Sequence, residues 1–89
     1  MDKDQLVKLK QDIVTELTKL IDDGMTPEER FRTYFSVSEA LGDPVTMKKA
    51  YEAAMDIEDS TIKSSSLMDL LDLVSSYENI TFEDEHDNN

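Results

Sequence analysis

Thr26-Pro27-Glu28-Glu29-Arg30-Phe31-Arg32-Thr33-Tyr34-Phe35-Ser36-Val37-Ser38-Glu39-Ala40-Leu41-Gly42-Asp43-Pro44 decides the fold, because within this stretch one helix opens, closes and hands over to another. Thr26 can cap the first free backbone N–H groups. Pro27 suits the first helical position, where its missing N–H goes unused, and Glu29 stands three residues after the cap to complete a reciprocal capping pair. Phe31, Tyr34, Phe35, Ser38 and Leu41 recur at helical spacing and form the expected inward face. They include three of the six aromatic residues, which places this helix at the centre of the expected core. Gly42 is a natural terminator. Asp43-Pro44 then repeats the cap-and-proline logic, so the next helix follows after a very short turn at a sharp angle.

Working outward towards the amino terminus, Leu6, Leu9, Ile13, Leu17 and Leu20 fall at steps of 3, 4, 4 and 3. That spacing matches the helical period, and Val7, Val14 and Ile21 widen the stripe. So broad a face implies packing against two neighbours, and Asp22-Asp23-Gly24 is expected to close the helix. On the other side, a third helix presents Met47, Ala50, Tyr51, Ala54 and Ile57, with thinner packing because of its alanines. Glu58 to Ser66 is rich in serine and reads as a linker or a weak first turn, since serine hydroxyls compete for their own backbone. Ser66, with Asp69 three positions on, reads as the cap of a fourth helix carrying Leu67, Leu70, Leu71, Val74 and Tyr77. Met68 and Leu73 fall off that face, either as flanking core or as exposed apolar positions open to a partner.

The expected architecture is all-α: a small three- to four-helix antiparallel bundle over residues 1–78, followed by a disordered acidic C-terminal tail over 79–89. The first and second helices are expected to form the core. With 89 residues the chain is one small domain, and its apolar residues lie in periodic stripes, unlike those of a charged disordered segment. No cysteine is present, which excludes disulfides and thiol chemistry and fits a reducing compartment. The start Met1-Asp2-Lys3-Asp4 lacks the basic and apolar pattern of a secretory leader, so a soluble cytoplasmic protein is the expectation.

The net charge is −12, and Ser64 to Asn89 contains Asp69, Asp72, Glu78, Glu83, Asp84, Glu85 and Asp87 without one lysine or arginine. Phosphate backbones and anionic lipid heads would be repelled by most of such a surface, so neither direct nucleic-acid nor membrane binding is expected. The paired carboxylates Asp22-Asp23, Glu28-Glu29, Glu58-Asp59 and Glu83-Asp84-Glu85 read as solvated loop, first-turn and tail residues rather than acid and base catalysts. The segments from Asp56 to Ser60 and from Glu83 to Asp87 lack the alternating ligands and closing glutamate of a calcium loop. His86 stands alone, without the partners a transition metal needs. Asn79-Ile80-Thr81 matches a glycosylation sequon but lacks the leader that would expose it to that machinery. Ser60, Thr61 and Ser64 to Ser66 are candidate phosphate acceptors, with a flexible linker the favoured reading. No enzyme, cofactor or metal is therefore expected.

Ser65-Ser66-Leu67, the acidic amphipathic helix through Tyr77-Glu78, and Ile80-Thr81-Phe82-Glu83-Asp84-Glu85 together resemble the region of acyl carrier proteins around their modified serine. The resemblance implies phosphopantetheine on Ser66 and an acidic helix read by partner enzymes. It covers about 20 residues. Ser65 stands where carriers have aspartate, the later helices that close the acyl pocket have no counterpart, and the first two helices do not match in spacing. A plain helix cap is the favoured reading of Ser66.

The function expected from these residues is a non-catalytic interaction protein, an adaptor, assembly factor, regulator or inhibitor. It would dock on a basic protein surface through Met68, Asp69, Asp72, Leu73, Glu78, Ile80, Phe82, Glu83, Asp84 and Glu85. Its partner could be a nucleic-acid-binding protein whose ligand charge it imitates, as some small acidic viral and mobile-element proteins do. Ile80 and Phe82 would either add as an extended strand to a partner's sheet or fold back over the bundle end. A structural subunit or chaperone binding a client through apolar helix faces is the alternative, and a homodimer through the wide apolar faces of the first and fourth helices, with Met68 and Leu73 as candidate contacts, is open.

Overall fold

The computed structural model describes the backbone of residues 1–21 and 24–87, with side chains through residue 79. Four helices follow in order: α1 (Lys3–Leu20), α2 (Pro27–Leu41), α3 (Pro44–Met55) and α4 (Ser60–Asp87), and no strand occurs among the described residues. The all-α bundle expected from the periodicity is the fold of the chain. Its local punctuation follows the capping chemistry. Thr26 accepts the Glu29 N–H at 3.1 Å while Glu29 accepts the Thr26 N–H at 3.0 Å, closing both ends of the capping box. Gly42 ends α2 in the left-handed region at φ 65°, and its N–H reaches the Ser38 carbonyl oxygen at 2.7 Å. Asp43 caps α3 by accepting the Val45 N–H at 3.0 Å.

Two cross-contacts fix α2 and α3 as antiparallel. Near the turn, Ser38 Oγ lies 3.0 Å from Thr46 Oγ1, and at the far end Arg30 meets Asp56 at 3.4 Å. The chain then reverses again, so that Tyr77 of α4 returns to the α2–α3 turn and donates its hydroxyl to the Glu39 carbonyl oxygen at 3.1 Å. The core forms where these three helices meet. Phe31, Ala50, Ala53, Ala54, Ile57 and Leu70 are buried together, with Tyr34, Phe35, Leu67 and Leu73 packed around them. Phe31 and Phe35 stack with ring centroids 5.5 Å apart.

Several sequence expectations are corrected. Among the described residues α1 has no buried side chain and meets α2 alone, so the core is made by α2, α3 and α4 rather than by the first two helices. The periodic stripe was a true sign of a helix, but amphipathicity does not count partners. α3 is the best-buried helix and not a thin one: Ala50 and Ala54 are wholly covered, because small side chains let the neighbouring helices approach closely. Tyr51 and Leu41, assigned to inward faces, are exposed, whereas Val37 and Ala53 are buried. α1 closes at extended Ile21, ahead of Gly24, and Asp22 and Asp23 lie outside the described residues.

α4 differs most. It starts at Ser60, with Asp59 as its cap accepting the Thr61 and Ile62 N–H groups at 2.9 and 3.0 Å, so the serine-rich stretch is helix and not linker. Ser66 is therefore an interior position, buried against the core, and not a cap. The weak helix preference of the serines is outweighed by the aspartate cap and by the packing of the same face. The helical backbone continues past Glu78 to Asp87, so the Ile80-Thr81-Phe82-Glu83 backbone is helical and not extended. The side chains of residues 80–87, and Asn88 and Asn89 altogether, lie outside the described residues. The radius of gyration is 14.9 Å, against about 12 Å for a compact chain of this length, which fits a bundle with α1 at its edge.

Candidate interaction site

The face that α4 turns inward is set by its contacts. Ser66 and Leu70 are buried, Leu73 packs on the core, and Tyr77 lies over Gly42, where a methyl group would come within 2.7 Å of the ring. These four positions recur at helical spacing and fix the rotation of the helix. Each residue turns the helix by about 100°, so Leu71 is carried to the outside next to the buried Leu70. Leu71 is 64% exposed and Met68 60%, and Val74 is also exposed.

Leu71 and Val74 border a groove between α3 and α4. It has a volume of about 480 Å³ and is lined by Met47, Lys48, Tyr51, Leu67, Leu70, Leu71 and Val74. Among the described residues, Lys48 supplies its only charged side chain. A shallower trough continues along α4 past Leu67, Met68 and Leu71 to Ser60, Lys63 and Ser64.

The acidic residues occupy the other flank. Asp69 and Asp72 line a trough with Phe35, Glu39, Leu73 and Ser76. Met68 and Asp72, four residues apart, are neighbours on the outer crest of α4, so the apolar and acidic flanks meet there. No group of three or more histidine, cysteine, aspartate or glutamate side chains arranged to hold a metal ion occurs among the described residues. No helix among them is long and apolar enough to cross a membrane.

The site residues expected from sequence thus separate. Met68 is exposed as expected, and Asp69, Asp72 and Glu78 are exposed. Leu73, read as flanking core or as an exposed contact, is partly buried and packs against the core. Ile80, Phe82, Glu83, Asp84 and Glu85 stand on helical backbone, with side chains outside those described. Leu71, Val74 and Tyr51 were missed because each was assigned to a core face. Their signal was the excess width of the apolar face, since Leu70 and Leu71 are adjacent and cannot both point inward. Ser66, the residue that would carry phosphopantetheine in the carrier resemblance, is buried mid-helix rather than presented at a helix start. Comparison of the chain with family models, with curated proteins and with solved structures found no match.

Proposed function

We propose that the protein is a non-catalytic interaction module whose docking element is the outer face of α4. The supporting observation is the groove of about 480 Å³ between α3 and α4, almost wholly apolar, on a chain of net charge −12. A bare apolar groove, with carboxylates across the crest of α4, suits an amphipathic helix with a basic face. The partner's apolar side chains would sit against Tyr51, Leu71 and Val74, while its longer lysines or arginines reach Glu78 and, over the crest at Met68, Asp72. Burial of the apolar side chains provides most of the affinity. The carboxylates, together with Glu83, Asp84 and Glu85, accelerate and orient the encounter more than they tighten it. A cytoplasmic setting, and a nucleic-acid-binding protein as the partner, belong to the same proposal. The alternative of an assembly subunit that grips a client through apolar contact alone uses the same groove.

A basic amphipathic helical peptide, titrated into the labelled protein and followed by amide chemical shifts, tests the reading. Shifts centred on Tyr51, Leu67, Leu71 and Val74, lost in Leu71→Asp, are the expected result. Equal binding by Leu71→Asp would exclude the groove. Association slowed by Asp69→Asn with Asp72→Asn, or by removal of residues 83–89, and weakened by salt, would favour acidic steering. Affinity and rates insensitive to salt would favour the apolar client reading.

A further inference from the structure

We propose that two copies of this chain pair antiparallel through α1, about a two-fold axis that passes at Ile13. Among the described residues α1 meets only α2 and has no fully buried side chain, leaving Leu6 53%, Ile13 51% and Leu20 61% exposed. A cleft of about 300 Å³ runs beside that stripe, with the small Ser36 and Ala40 of α2 on its far wall. This surface is separate from the α3–α4 groove, and the inference does not rest on the function proposed above.

The spacing of the stripe identifies its occupant. Leu6, Leu9, Ile13, Leu17 and Leu20 follow steps of 3, 4, 4 and 3, an order that reads the same from either end. An interface between identical subunits about a two-fold axis must be self-complementary, so that if one residue meets a second, the second meets the first. Laid antiparallel on its copy, the stripe satisfies this throughout. Ile13 meets Ile13, Leu9 meets Leu17, and Leu6 meets Leu20.

Charge distribution agrees. Residues 1–20 hold Lys3, Lys8, Lys10 and Lys19 against Asp2, Asp4, Asp12 and Glu16, so the entire net charge of −12 resides in the rest of the chain. α1 is thus the surface on which two such acidic molecules approach with least repulsion. The helix of 18 residues spans roughly 27 Å, enough for the whole stripe to engage.

The chain has no cysteine, which makes single-cysteine variants clean reporters of register. Under mild oxidation with oxidised glutathione, Ile13→Cys is expected to form a covalent dimer. Leu6→Cys and Leu20→Cys are expected to do so poorly alone but efficiently when mixed, because a disulfide requires Cβ atoms about 4 Å apart. Lys8→Cys, on the opposite side of the helix, serves as the background rate. Sedimentation of the unmodified chain should show a monomer–dimer equilibrium, and Ile13→Asp should weaken it by at least about tenfold, since it buries a charge on the axis. Circular dichroism of Ile13→Asp should be unchanged, as the residue is exposed in the single chain. A monomer at every concentration would overturn the proposal. Ile13→Cys linking no faster than Lys8→Cys, or Leu6→Cys linking to itself as fast as to Leu20→Cys, would also overturn it, pointing to another interface or to a different protein as the occupant.

Discussion

Gly42 carries two constraints at one residue. Its φ of 65° lies where a side chain is disfavoured by roughly 1 to 2 kcal/mol, and an added methyl would meet the Tyr77 ring at 2.7 Å. Gly42→Ala is therefore expected to lower the urea midpoint by at least the backbone component, with the slope of the transition unchanged. Tyr77→Phe removes only the hydrogen bond to Glu39 and should cost about 1 kcal/mol. At the start of α2, Thr26→Ala removes the cap and should cost about 1 kcal/mol. The Thr26 backbone N–H, then its hydroxyl, hold the Glu29 carboxyl below its usual value. A lowered folded value means that the stability contributed by Glu29 is present above the ordinary carboxylate range and is lost as the pH falls through the lowered value. Denaturation of Glu29→Gln across that acidic range should show a flatter dependence on pH than the parent chain. An identical dependence would contradict the capping interaction.

At the scale of the element, α4 shows what a sequence pattern leaves open. Leu70 and Leu71 are adjacent and chemically identical, yet one is buried and the other exposed. Leu70→Ala should destabilise by about 2 to 5 kcal/mol, whereas Leu71→Ala should stay within about 0.5 kcal/mol, both measured by chemical denaturation. Equal losses would mean that the helix is rotated differently. Helix existence was legible because caps, prolines and the 3.6-residue spacing act locally. Thr26, Pro27, Gly42, Asp43 and Pro44 do what their chemistry requires without reference to distant residues. Helix rotation was not legible, because a face as broad as that of α4 permits several rotations. Contact with Gly42 through Tyr77 and close approach at Ser66 select one of them. The serine-rich start of α4 was misread for the same reason: local preference was weighed without the packing that overrides it.

For the whole molecule, the division of labour among helices has a direct consequence. Because no residue of α1 is fully buried and none belongs to the core cluster, removal of residues 1–21 is expected to leave α2, α3 and α4 folded, with dispersed amide resonances and a cooperative transition. Loss of both would show that α1 supports the core. The net charge of −12 predicts a second global property. Repulsion among carboxylates opposes compaction, and screening relieves it, so the thermal midpoint at neutral pH should rise between low salt and about 0.15 M salt. A midpoint that falls over this range would mean that attractive pairs such as Arg30–Asp56 outweigh the repulsion. That pair is half open to solvent, with a spacing of 3.4 Å, and should contribute less than about 1 kcal/mol.

The sequence by itself determined that this chain is helical, where its second and third helices begin, and where the charge lies, since capping, proline geometry and ionisation depend on near neighbours. Tertiary structure alone decided which stripes became core. Burial depends on how many helices converge on a face, and α3 with its alanines gained two neighbours while α1 with its leucines gained one. The candidate groove follows from that outcome: the acidic face of α4 was written in its residues, but the apolar flank beside it appeared only once the rotation of the helix was fixed.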